Sequence, residues 1–151
     1  MFDVDLDKPP DPNAWHVDIT AALKPNGAIP LSLNSRLHWA AHAKIVDRIK
    51  AITRNAIITA EVPPMPAVHV EMHYRPANNA RRDRDNLVAT LKPALDALHQ
   101  PDLSTHNPVP YEPIVPGDDP RYVSWEPPIL HPWRRGVPPA LWLILRPMEA
   151  T

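Results

Sequence analysis

The sequence lacks cysteine entirely, holds only three glycines, and contains no long apolar run. The absence of cysteine excludes disulfides and thiolate catalysis, and it favours a reducing compartment. The longest apolar run near the carboxyl end, residues 140–145, is far shorter than the roughly 20 residues that a membrane-spanning helix needs. We therefore expect a cytoplasmic protein with no membrane partner.

A strong excess of one charge is also missing, since the formal net charge is −1. The charges are nevertheless segregated along the chain. Residues 1–18 hold five aspartates and one lysine (−4), residues 36–54 hold five basic residues and one aspartate (+4), and residues 75–92 hold five basic residues and two aspartates (+3). This distribution is typical of a basic face that meets a polyanion. A helix face that is simply solvated is the alternative.

Proline, by contrast, is abundant, with 22 residues that cluster at both ends and between positions 101 and 139. Because proline fixes φ and lacks a backbone N–H, these regions are expected to form extended loops. A chain of 151 residues is long enough for one hydrophobic core and too short for two. We predict a flexible acidic arm over residues 1–14 and one domain over residues 15–148, with a proline-rich loop at 99–117.

Hydrophobic periodicity predicts the main elements. Apolar and polar residues alternate over 15–20 and 68–74, as in half-buried strands. Apolar residues recur at helical spacing over 39–60 and again after residue 85. Pro93 is expected to kink the second of these helices or to begin a new segment. Further strands are expected at 122–125 and 140–146, the last one buried on both faces or placed in a subunit interface. The predicted fold class is α/β, with a small mixed or antiparallel sheet of about four strands packed with two helices.

The densest cluster of charge lies at residues 81–87, which read Arg-Arg-Asp-Arg-Asp-Asn-Leu. Asp83 and Asp85 fall between the predicted strand and the following helix, where two short carboxylates can converge on a hard cation such as magnesium. A metal site beside positive charge is typical of phosphate chemistry. The alternative is that these aspartates cap the helix, with Asp85 or Asn86 as N-cap, and pair with the neighbouring arginines.

A second acidic pair, Asp118 and Asp119, lies in a Pro-Gly-Asp-Asp-Pro turn just before the predicted strand at 122–125. A fold can gather three or four carboxylates when each sits at the end of an element. Either aspartate fits the position of a third metal ligand, and we expect Asp119 to occupy it.

Taken in order, these blocks resemble the RusA family of Holliday-junction resolvases, in the divergent form found in phages and prophages. The matching blocks are Pro-Leu-Ser-Leu-Asn-Ser-Arg at 30–36, the strand at 68–74, Arg-Asp-Arg-Asp-Asn-Leu at 82–87, and the acidic turn at 118–119. The resemblance implies a homodimer in the bacterial or phage-infected host cytoplasm. It also implies a crossover junction endonuclease that binds branched DNA and resolves four-way junctions by paired symmetric nicks, in recombination, repair or phage DNA processing.

The resemblance further implies a Mg²⁺ site, with Mn²⁺ as a substitute, and a lysine that assists the carboxylates. Asp83, Asp85 and either Asp119 or Asp118 are the implied ligands. The lysine position falls on Ala89 when counted forward from the Asp-Asn-Leu run, and on Lys92 when counted back from the Leu-Asp-Ala-Leu at 95–98; Lys92 is the lysine available. The residues expected to contact DNA are Asn34, Arg36, Lys44, Arg48, Arg75, Arg81, Arg82 and Arg84.

Three rival interpretations stay open. In a noncatalytic DNA-binding module, the arginines would grip phosphates while the aspartates only cap. In a metal-dependent hydrolase of a small phosphate ester, the same Asp-x-Asp would serve equally well. Finally, His69, Glu71 and His73 share the polar face of the predicted strand, and a His-x-Glu-x-His pattern can bind zinc, although an exposed strand face accounts for it without a ligand.

Overall fold

The computed structural model describes residues 12–33, 36–102, 108 and 110–149. Asn34, most of the acidic arm, and residues 103–107 and 109 of the proline-rich loop lie outside the described residues, and so do the expectations placed on them. None of the helices in the described ranges is long and apolar enough to cross a membrane.

The described chain forms a mixed five-stranded sheet and two α-helices, which confirms the predicted α/β class. In chain order the elements are β1 (Trp15–Asp18), α1 (Trp39–Thr59), β2 (Ala67–Arg75), α2 (Val88–His99), β3 (Val123–Trp125), β4 (Ile129–Leu130) and β5 (Ala140–Met148). The strand order is β1-β5-β2-β3, and β4 pairs with β2 further along the same strand. Strand β4 was not predicted, because two residues are too few to show an alternating pattern.

The central pair of strands, β2 and β5, explains the hydrophobic core. Val68, Val70 and Met72 of β2 are fully buried on the helix-facing side, as the period of two predicts. Strand β5 is antiparallel to both β1 and β2, so it lies inside the sheet. Its Leu143 faces the helices and its Trp142 faces the other way, and both are buried. The prediction that β5 is buried on both faces is therefore confirmed.

Local hydrogen bonds and backbone conformation define both ends of helix α1. The imidazole of His38 accepts a hydrogen bond from the backbone N–H of Ala40 at 3.2 Å, which caps the first turn. At the other end, Glu61 takes a positive φ of 55° and the N–H of Val62 donates to the carbonyl of Ile57. The α-helix therefore ends in a residue with left-handed backbone conformation, just before Pro63. The helix matches the prediction over 39–60 within one residue.

Helix α2 differs from expectation where it begins and in its continuity. No second segment starts at Pro93, because α2 runs over Val88–His99 as one element. Pro93 lacks the N–H that would have donated to Ala89, and its ring is buried in the core. The predicted N-cap, Asp85 or Asn86, is wrong: a single 3-10 turn, Arg84–Leu87, precedes α2, and Asp83 caps that turn.

Candidate active site

A cleft of about 850 Å³ opens where the carboxyl end of β2 leads into α2. Its apolar floor includes Tyr74, which ends the buried face of β2, and Leu130 of β4. The polar part of the lining comes from the charged run before α2: Arg81, Arg82, Asp83, Arg84 and Asn86. The cleft therefore combines a hydrophobic base with a rim that carries both guanidinium groups and a carboxylate.

Asp83 has a defined structural role in this rim. Its Oδ1 accepts a hydrogen bond from the backbone N–H of Asp85 at 3.0 Å, which caps the 3-10 turn. The capping interpretation is thus correct for Asp83. Both carboxylates are exposed, two residues apart at the amino end of the turn, but only Asp83 lines the cleft. Capping through one oxygen is compatible with metal binding, because a carboxylate has two oxygens and several lone pairs.

The three arginines of the run divide into two roles. Arg82 donates to the carbonyls of Asn78 and Ala80, both at 2.8 Å, and to the side-chain oxygen of Asn78 at 2.6 Å. It therefore shapes the loop that connects β2 to the turn. Arg81 and Arg84 are exposed at the cleft, where a phosphate can reach them.

Tyr74 fixes the base of the cleft to the segment before α1. Its hydroxyl donates to the carbonyl of Gly27 at 2.8 Å. Burial raises the pKa of this hydroxyl, and the nearby charge of Arg82 acts in the opposite direction. Gly27 has a positive φ of 84°, and a Cβ there would lie 2.7 Å from the Cβ of Ala77. Only glycine fits this close approach of two chain segments.

Lys92 lies outside the cleft lining, on the exposed side of α2. Its Nζ is 4.7 Å from the centroid of the Trp125 ring, a cation–π contact between α2 and the edge strand β3. Lys92 follows Asp85 by seven residues, and the end of the 3-10 turn and the first residues of α2 lie between them.

The second acidic pair lies in its predicted turn before β3. Asp119 accepts hydrogen bonds from the backbone N–H of Arg121 at 2.9 Å and from its guanidinium at 3.3 Å. These bonds hold the pKa of the Asp119 carboxyl below its usual value. The Asp119 carbonyl accepts from the N–H groups of Tyr122 and Val123, so the turn is well defined, while Asp118 is exposed.

One chain does not bring the two acidic pairs together. Strand β3 runs parallel to β2 with Val123 beside Val68, so Asp119 lies near the amino end of β2. Asp83 lies near its carboxyl end, beside Tyr74. The six residue steps from Val68 to Tyr74 span about 20 Å in an extended strand. Neither Asp118 nor Asp119 lines the cleft.

The remaining residues that were expected to contact DNA are placed unevenly. Arg36 and Lys44 are exposed near the start of α1. Arg48 donates to the carbonyls of Ala21 and Ala22, so it also anchors α1 to the segment after β1. Arg75 is only 5% exposed, donates to the carbonyl of Pro138 and lies over the Trp142 ring. Its burial explains why it cannot belong to an exposed basic face.

Sequence reasoning missed the partner that completes a polar cluster on the sheet face opposite the helices. The predicted zinc motif was His69, Glu71 and His73. Instead, His73 contacts His131 at 2.8 Å, while Glu126 joins His69 and Glu71. In the described part of the chain this is the one group of three histidine or carboxylate side chains whose ligand atoms lie within 4.8 Å of one another. The sequence pattern could not link Glu126 to this motif, because Glu126 lies 55 residues beyond Glu71.

No protein-family model and no curated protein matches this chain.

Proposed function

We propose that this protein is a magnesium-dependent endonuclease that acts on branched DNA as a homodimer and nicks four-way junctions. The observation that best supports the proposal is the strand-to-helix junction, where Asp83 and Asp85 stand beside the exposed guanidinium groups of Arg81 and Arg84. The same run of residues bears the resemblance to the junction resolvases. A carboxylate pair alone would repel DNA, and arginines alone would only bind it.

Electrostatics assigns separate tasks to the two kinds of side chain. Arg81 and Arg84 would attract phosphates through sequence-independent contacts that weaken as salt rises. Asp83 and Asp85 would hold the cation, since short exposed carboxylates are the ligands that magnesium prefers. When bound, magnesium polarises the scissile phosphate and lowers the pKa of a coordinated water. Lys92 would stabilise the negative charge that develops as the phosphodiester is attacked.

The distance between the two acidic pairs supports an active site that two protomers share. Within one chain, Asp119 lies at the opposite end of β2 from Asp83. A two-fold axis can place the acidic turn of one protomer beside the strand-to-helix junction of its partner, and it does so twice. Each site would then draw carboxylates from both copies. A four-way junction has near two-fold symmetry, so two such sites match two symmetric nicks.

A junction-binding and cleavage assay tests the proposal. The protein is mixed with a labelled four-way junction and with a linear duplex of equal length, over a range of salt, with and without Mg²⁺. We expect duplex affinity to collapse well before junction affinity as salt rises, because only the branched substrate satisfies both basic faces of a dimer. Cleavage should require Mg²⁺. Equal cutting of duplex and junction would contradict junction specificity and favour a general nuclease.

Arg84→Gln and Arg135→Gln form a matched pair for this assay. Each removes one exposed positive charge, but only Arg84 lines the cleft. We expect Arg84→Gln to weaken junction binding and to reduce the slope of log affinity against log salt by about one, whereas Arg135→Gln should leave both unchanged.

The cleft itself favours one second candidate, a hydrolase of a small phosphate ester. Its volume of about 850 Å³ falls in the range of small-molecule pockets. A nucleotide or a simple aryl phosphate would fit a site of this size. Mg²⁺-dependent release of phosphate from such a compound, without any cutting of DNA, would establish this candidate in place of the nuclease.

A further inference from the structure

The sheet face that points away from the helices holds a cluster of ionisable side chains that the proposed nuclease does not use. His69 and Glu71 lie on β2, Arg146 lies on β5, and Glu126 directly follows β3. The parallel register pairs His69 with Ser124 and Val70 with Trp125, so the next step places Glu71 beside Glu126. Two glutamates therefore stand side by side on one face.

Adjacent like charges destabilise a sheet unless a cation lies between or beside them. Arg146 supplies one positive charge, and its guanidinium pairs directly with Oε2 of Glu71. The other oxygen of Glu71 lies 3.2 Å from Nε2 of His73. Glu126 faces Nε2 of His69, at 3.4 Å. The charge of Arg146 thus offsets that of Glu71, and the imidazole of His69 lies against Glu126.

One nitrogen of His69 lies against a neighbouring side chain, and the other faces the cluster. Nδ1 is 2.6 Å from the Ser124 hydroxyl, which also lies 3.2 Å from the sulfur of Met148. Nε2 faces a carboxylate oxygen of Glu126 at 3.4 Å. In the tautomer that carries its proton on Nδ1, the Nε2 lone pair is available to a metal ion.

We propose that His69, Glu71 and Glu126 form a transition-metal site, with Zn²⁺ as the ion that best fits the ligands. Zinc bonds to histidine nitrogen and carboxylate oxygen at about 2.0–2.2 Å, so two ligands of a tetrahedral site lie about 3.3–3.5 Å apart. The 3.4 Å between Nε2 of His69 and Oε2 of Glu126 matches that spacing. The third ligand atom, on Glu71, lies within 4.8 Å of both.

The surroundings resemble those of known metal sites. A ligating histidine usually donates its second N–H to an oxygen that holds the ring in place, and the Ser124 hydroxyl, 2.6 Å from Nδ1 of His69, is in position to accept such a bond. The Glu126 side chain is 45% exposed, so an ion can enter and water can take the fourth position. An imidazole ligand selects zinc or a similar ion over magnesium, which prefers oxygen alone. The site is thus chemically distinct from the aspartates at the cleft.

The consequence is structural. Strand β3 has only three residues and lies at the edge of the sheet. A metal held by β2 and by the residue after β3 would tie this edge strand to the sheet. Because the ion binds the folded chain and its ligands are apart in the unfolded chain, zinc should raise the midpoint of thermal unfolding.

Titration of the chelator-treated full-length protein with Zn²⁺ and with Co²⁺ tests the site. The comparison is between the wild type, Glu126→Gln and the control Glu112→Gln, which removes an exposed glutamate outside the cluster. We expect the wild type and the control to bind one equivalent of either ion, and Co²⁺ to give a visible d–d spectrum. Glu126→Gln should bind at least tenfold more weakly. Millimolar Mg²⁺ should not displace the ion.

Two results would overturn the site. One is an absence of Zn²⁺ binding below 100 μM, on the order of a weak surface site, and the other is equal binding by Glu126→Gln and the wild type.

Nitrogen-15 spectra of the histidines keep the test decisive if the variant folds poorly. A Zn²⁺-dependent shift of the His69 Nε2 resonance is expected, and a His69 ring that stays doubly protonated at neutral pH and ignores Zn²⁺ would show that a proton occupies the site. Because Asp83→Asn should retain zinc, failure of this site and failure of the nuclease are separable.

Discussion

The ammonium of Lys92 lies 4.7 Å from the centroid of the Trp125 ring, and this contact joins α2 to the edge strand β3. An exposed cation–π pair of this kind contributes about 0.5–1 kcal/mol. We expect a double-mutant cycle of Lys92→Met and Trp125→Leu, measured by urea unfolding, to give a coupling free energy of that size. Strictly additive effects of the two substitutions would show that the contact does not stabilise the protein.

A second prediction separates catalysis from folding at the cleft. Asn is as good an N-cap as Asp, so Asp83→Asn should keep the bond to the N–H of Asp85 and unfold like the wild type. It should nevertheless abolish junction cleavage, since it removes a metal ligand, and it should bind the junction as tightly or more tightly because a negative charge is lost. Asp85→Asn should behave the same way. Undiminished cleavage in Mg²⁺ by either variant would contradict the assignment.

The structure also distinguishes the two aspartates of the acidic turn. Asp119 is held in one orientation by two hydrogen bonds from Arg121, whereas Asp118 is exposed at the preceding position. We expect Asp119→Asn to lose cleavage as fully as Asp83→Asn and Asp118→Asn to keep appreciable activity. Comparison of single-turnover rates under matched protein and Mg²⁺ concentrations measures this. The reverse order would make Asp118 the third carboxylate.

A prediction on pH concerns Tyr111, whose hydroxyl donates to the carbonyl of Ala97 at 2.9 Å. Burial raises the pKa of this hydroxyl to about 12, from an ordinary value near 10. The unfolded chain therefore loses the proton first, so the stabilising contribution is complete below pH 10 and is lost as the pH rises toward 12. Tyr111→Phe should be about 1 kcal/mol less stable at pH 7, and this difference should shrink above pH 10.

Urea unfolding of both proteins at pH 7, 9 and 10.5 measures the effect, and the absorbance of tyrosinate near 295 nm reports the ionisation directly. A Tyr111 that ionises near pH 10 in the folded protein would show that the hydroxyl is not buried in a hydrogen bond.

The sequence predicted the parts of this fold that local patterns determine. Strand β2 and helix α1 followed from apolar periodicity, and the positions of the acidic pairs at element ends followed from their neighbours. What the sequence could not supply was register. That Val123 pairs with Val68 depends on long-range contacts, and this pairing is what separates Asp119 from Asp83.

Burial of particular polar residues could not be predicted from the sequence either. Arg75 and Glu71 both occupy the polar face of β2, and an alternating strand gives no sign that Trp142 will lie across that face and bury Arg75. Capping by Asp83, in contrast, was one of the interpretations that the sequence allowed. The N-cap itself was placed at Asp85 or Asn86, because the 3-10 turn that begins at Arg84 and precedes α2 was not predicted.

The most direct measurement uses subunit mixing in the Mg²⁺-dependent nicking of a four-way junction. Asp83→Asn and Asp119→Asn are assayed separately, after mixing and subunit exchange, and beside the wild type. If each site takes carboxylates from both copies, a mixed dimer has one site with both substitutions and one site with neither. The wild type should then make paired symmetric nicks, each variant alone should make none, and the mixture should recover single nicks. An inactive wild type would contradict the nuclease, and an inactive mixture would contradict a site shared between two protomers.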